Sequence, residues 1–185
     1  KKRKRLNIVM DDCPGQNKNN IVLRLTTYLQ EKGYFAEVNF ILLVVGHTKN
    51  VADRLFNTLK RLYRKMNIFS MKMLIGVLQH EQVVPYEVDW RDFKDWDRYL
   101  NRIYKKLSSV LKWQMFKGST ELGAANIAFK KSNVEDAETL EESLVKRGAK
   151  DDERAAILLE EPAPQYPTKP GLREIKQVEL WKKYR

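Results

Sequence analysis

Two aspartates, Asp11 and Asp12, follow a short apolar run, LNIVM, and precede a polar turn, CPGQNKNN. A carboxylate at a strand end, paired in space with a second one, is a donor set for Mg2+ or Mn2+. Such ions want hard oxygen ligands, and substrate phosphates and water complete the shell. Two of them, about 3.5–4 Å apart, activate the attacking oxygen of a phosphoryl transfer and stabilise the leaving one. A second polar group, His47, Thr48 and Asp53, follows the next apolar run, FILLVV at 40–45. GQNKNN lacks the G-x-x-x-x-G-K-[ST] spacing of a phosphate loop. Cys13 is the single cysteine, which excludes an intrachain disulfide, fits a reducing compartment and leaves a zinc site without its ligand pairs.

The elements that must position these residues are legible in the pattern. Leu6 to Met10 reads as a buried strand. Asn19 or Asn20 is an N-cap, and Ile21, Val22, Leu25, Tyr28 and Leu29 follow at helical spacing up to Gly33. YFAEVNFILLVV reads as a second strand. A second helix carries Val51, Leu55, Phe56, Leu59, Leu62, Tyr63 and Met66 on one face and basic residues on the other. Strand–helix–strand–helix predicts parallel strands, with polar groups gathered at their carboxyl ends. Further on, the spacing predicts helices over 68–82, 92–112 and 134–147, a hairpin over 115–132, an extended proline-rich linker over 162–170 and a short amphipathic helix at the end. The expected fold class is α/β: a sheet fragment with flanking helices, then a mostly helical C-terminal region. The expected divisions are 1–117, 118–161 and 162–185.

Charge points to the partner. The chain carries +11 at neutral pH, and residues 1–117 hold +12 of it while 118–185 hold −1. A strongly basic segment implies a polyanion, most often nucleic acid. Lys18, Lys49, Arg54, Lys60, Arg61 and Arg64 are the candidate phosphate contacts. KKRKR at the start reads either as a nuclear-import tract or as a solvated charge run. No apolar run reaches the length of a membrane span, so DNA and no membrane is the expected partner set, in an intracellular, nuclear setting.

DDCPGQNKNN followed by GHTKNVADRLFNTLK resembles an uncharacterised transposase-like domain family of eukaryotic mobile elements. Its members carry a D-N-C-x-G-Q-N-K-N segment and then G-H-T-x-x-x-x-D-x-x-F. The likeness is dense over 6–66 and looser over DFKDWDRYL and PTKPGLREIKQVELW. It implies an RNase H-like core with metal-binding acids on the first strand, at the end of the fourth strand and on a later helix. By that likeness Asp11 is the fourth-strand acid and Asp53 the helix acid, both catalytic and both ligands of Mg2+ or Mn2+. Gln16, Asn17 and His47 stand behind them. Asp12 stands where relatives have Asn, which makes it an alternative ligand to Asp11. The chain starts at what looks like the fourth strand, so the core is expected to need an upstream part of the polypeptide and to be inactive alone.

Structural roles compete with these. Asp11 and Asp12 can open a turn. Asp53, at N3 after Asn50, fits a capping arrangement and favours the helix dipole. His47 can bond a turn, and Gln16, Asn17 and Asn19 can satisfy backbone at a helix start. Asp89, Asp92 and Asp95 are reserve candidates for a further metal acid. Two functions are therefore expected: a fragment of a divalent-metal-dependent DNA cleavage and strand-transfer core, or a non-catalytic nucleic-acid-binding protein derived from a mobile element.

Overall fold

β1 (Arg3–Asp11) and β2 (Phe35–Leu43) run side by side and parallel, with Leu6 opposite Val38, Ile8 opposite Phe40 and Met10 opposite Leu42. These alternate residues share one face of the pleat and turn it into the core. The computed structural model describes residues 3–43, 51–79, 83–132, 137–171 and 173–183. α1 (Asn20–Glu31) links the parallel pair and packs on β2. β3 (Met115–Ser119), β4 (Asn126–Lys130) and β5 (Leu140–Ser143) extend the sheet antiparallel from β2, in the order β1-β2-β3-β4-β5. The remaining helices are α2 (Val51–Tyr63), α3 (Met71–Leu78), α4 (Trp96–Ile103), α5 (Asp151–Leu159) and α6 (Glu174–Lys183). The fold is α/β: a five-stranded mixed sheet flanked by helices.

The core lies between the inner sheet face and α1 and α4. Leu23 and Tyr28 meet Phe40, Phe116, Ile127, Phe129, Leu100 and Ile103. Tyr28, Trp96 and Tyr99 pack edge to face, with ring centroids 5.5–6.0 Å apart. Trp96 and Tyr99 of DFKDWDRYL thus serve packing, while Phe93 is exposed.

Three expectations change. The helix expected over 92–112 is broken into a 3-10 turn at Trp90–Asp92, α4, and a second 3-10 turn at Val110–Lys112. It stops at Tyr104 because Tyr104 bridges Val145 and the Lys105 amide donates to the Leu144 carbonyl at 2.8 Å, so tertiary pairing outweighs helix propensity. Of the helix expected over 134–147, residues 134–136 lie outside the described residues, and Leu140–Ser143 form the strand β5 instead. Its Leu140 pairs with Phe129, and Leu144 just beyond it is fully buried. The helix expected over 68–82 is shorter, capped at Ser70 and ended at Gln79. The expected hairpin at 115–132 and the terminal helix are present. The expected division between residues 117 and 118 falls inside β3. The proline-rich stretch is stitched down at its start: the Asp95 amide donates to the Ala163 carbonyl and the Gln165 amide to that of Phe93, each at 2.8 Å.

α5 is anchored by buried polarity. Arg154, 5% exposed, donates Nη2 to Glu31 Oε1 at 2.8 Å, and the Tyr104 hydroxyl donates to the other Glu31 oxygen. Burial, then the neighbouring Glu31 charge, pushes the Tyr104 hydroxyl far above its ordinary pKa, so it stays a donor. Removing one member of a buried ion pair strands the other charge. Arg154→Met is expected to cost about 3–5 kcal/mol in urea unfolding. The double variant Arg154→Met, Glu31→Gln should recover part of that loss.

Candidate functional site

The turn after β1 is built from its own amides. Asp11 ends the strand opposite Leu43, on the outer sheet face with Arg5, Asn7 and Val9. Its main-chain carbonyl accepts from the Cys13 amide at 2.9 Å and from Asn17 Nδ2 at 3.2 Å. The Cys13 carbonyl gathers the amides of Gln16, Asn17 and Lys18 at 3.0–3.3 Å, and Gly15 takes the left-handed φ of +84° that lets the chain reverse. Asn19 caps α1, its Oδ1 accepting from the amides of Ile21 and Val22 at 2.8 and 3.0 Å, while its Nδ2 donates to the Gln16 carbonyl. Asn20 clamps a remote loop in both directions. Its Oδ1 accepts from the Leu107 amide at 2.8 Å and its Nδ2 donates to the Leu107 carbonyl at 3.3 Å.

The two aspartates separate. The Asp11 carboxylate is exposed at the strand end, and among the described residues no side chain pairs with it. Asp12 is mostly buried, and its Oδ2 accepts from Lys18 Nζ at 3.1 Å. Lys18 is only 6% exposed. Its ammonium faces Asp12 rather than open solvent. Gln16 is exposed and Asn17 half-buried beside the strand end.

α2 holds the other candidates. Asp53 lies exposed in its first turn. Arg54, Lys60, Arg61 and Arg64 are exposed, and none forms an ion pair among the described residues. The Arg64 amide donates to the Lys60 carbonyl at 3.1 Å, which keeps that residue on the helical spiral past Tyr63. Asn57 is exposed on the same basic side, and sequence reasoning passed over it because a single amide on a polar helix face carries no spacing signal. His47, Lys49, Thr48 and Asn50 lie outside the described residues.

Among the described residues, no three His, Cys, Asp or Glu side chains come together to hold a metal ion. The reserve acids are spent on structure. Asp89 and Asp92 form a capping box around the 3-10 turn at Trp90–Asp92, and Asp95 caps α4 through the Arg98 amide. Arg91 holds the Asp89 carboxyl down at about 2. Asp12 is paired with Lys18, and the Asp11 carboxylate stands open at the described strand end. A cavity of about 420 Å³ opens over the outer sheet face, between Asn39, Lys117, Ser119, Ala128, Lys130 and Glu141. Its lining includes none of the strand-end turn.

A family model for a domain of unknown function, DUF7869, matches residues 2–135. The chain belongs to this family. No curated protein and no solved structure matches the chain. The DUF7869 match takes in β1, the amide turn, α2 and the β3–β4 hairpin, and stops before β5 and α5. Among the described residues, no helix is long and apolar enough to cross a membrane.

Lys18 and Asp12 depend on each other. Lys18→Met should lower thermal stability at neutral pH by the equivalent of about 1–3 kcal/mol, since Asp12 is left mostly buried and unpaired. Asp12→Asn added to it should restore most of the loss in the same melt.

Proposed function

We propose that this chain is the nucleic-acid-holding part of a transposase-like protein, and that DNA is its partner. One observation carries the reading: α2 presents Arg54, Lys60, Arg61 and Arg64 to solvent, and none of the four is in an ion pair among the described residues. Cations left unpaired on one helix face suit a polyanionic backbone, whose condensed counterions they displace. The concentration of the net charge in residues 1–117 supports the same face. A nuclear setting follows from the partner and from KKRKR.

The test is a titration of duplex DNA by fluorescence anisotropy over a range of salt. The chain should bind with a steep salt dependence. Lys60→Glu with Arg61→Glu should weaken binding at low salt and make the slope of log K against log salt shallower by about 2. An unchanged slope would remove α2 from the interface.

A second reading, metal-dependent DNA strand cleavage and transfer, is favoured by the open carboxylate of Asp11 at the carboxyl end of a parallel strand pair. It takes Asp11 and Asp53 as ligands of Mg2+ or Mn2+, with Gln16, Asn17 and His47 nearby. Asp11→Asn should then abolish Mg2+-dependent cleavage and leave DNA affinity equal or higher. For a purely binding protein the same change moves neither quantity.

A further inference from the structure

We propose that α2 is a major-groove reading helix for B-form duplex DNA and that Asn57 is its base-contacting residue; the proposal rests on the DNA-binding reading above.

Residues on an α-helix advance by about 100° around the axis and about 1.5 Å along it. On that spiral Lys60 and Arg64 fall on one flank of the polar face and Arg54 and Arg61 on the other, with Asn57 between them. Both flanks are exposed, and so is Asn57. On the other side of the helix Leu59 is buried and α3 packs against α2, while Phe56 stays exposed. The result is a helix with cations on two sides and a neutral amide on its crest.

That division fits a groove better than a flat phosphate surface. The major groove is about 12 Å wide and admits a helix of about 10–12 Å diameter, so flanking cations meet the phosphates of both strands while the crest meets base edges. An asparagine amide is the side chain that pairs with both N6 and N7 of adenine. Asp53 lies on the same polar side, one turn before Asn57. A carboxylate there works against a continuous row of phosphates, but a groove tolerates it, because cytosine N4 is a donor. A-form RNA is a poorer fit, since its major groove is too deep and narrow for a helix to read.

The experiment is selection from a pool of short DNA duplexes with a randomised centre, followed by anisotropy on the selected duplex, a scrambled duplex, the separate strands and an RNA duplex. The chain should enrich a sequence containing A·T pairs and prefer DNA duplex. Asn57→Ala should cut the preference for selected over scrambled duplex about tenfold and leave affinity for the scrambled duplex unchanged. Lys60→Glu with Arg61→Glu should weaken both alike. Binding with no enriched sequence, a preference unmoved by Asn57→Ala, or tighter binding of single strands or RNA overturns the groove-reading role while leaving DNA binding in place. Failure to bind any of these probes at low salt overturns the DNA-binding reading itself.

Discussion

Arg24 is fully buried on α1, and a buried guanidinium must find an acceptor for its charge. Nε donates to the Asn20 carbonyl at 2.9 Å, Nη1 to Asn101 Oδ1 at 2.6 Å and Nη2 to Asp97 Oδ1 at 2.8 Å. These bonds fix α1 against α4 in one register, because any slide would leave donors unmet. Everything at the strand end inherits that register. Asn20, whose carbonyl receives Arg24, clamps Leu107, and Asn19 beside it caps the helix and closes the turn on Gln16. The amide-rich segment is thus first a device for docking a helix. Its sequence serves the backbone before it serves any ligand.

The same economy divides the charges of the molecule. Three ion pairs couple elements distant in sequence: Arg24 with Asp97, Arg154 with Glu31 and, nearer the surface, Arg102 with Glu160. On the outer sheet face, Glu37 takes Arg5 and Lys117. Burial would raise its pKa, but the bond from Asn39 and the two cations outweigh this and hold it low. Arg54, Lys60, Arg61 and Arg64 on α2 are exposed and form no ion pair among the described residues, a state they share with other surface cations such as Lys72 and Lys112.

Much of the first half was legible in the sequence. β1, α1 and β2 follow from alternation, helical spacing, an asparagine cap and Gly33, and their parallel pairing follows from the helix between them. The second half was less legible, for physical reasons. Leu140 and Leu144 stand at helical spacing amid acids, yet pairing with the apolar strand β4 decided for β5. Tyr104 stops α4 through a bridge to a residue far along the chain. α5 was not expected: three acids in its first turn, Asp151, Asp152 and Glu153, suit a helix start, but it shows little apolar periodicity. At the strand end, the placing of Asp11 was readable from the apolar run before it. The withdrawal of Lys18 onto Asp12 was not, because it depends on how the turn folds back.

Although β2 and β3 are immediate neighbours in the sheet, α2, α3 and α4 all come between them in the chain. The β1–α1–β2 unit can assemble from contacts local in sequence, but joining it to the β3–β4–β5 meander closes a long loop, and that closure entropy makes the step slow. Until it happens, β2 presents an unpaired apolar edge. The newly made chain is therefore most exposed to strand-to-strand aggregation while it waits for its own second half.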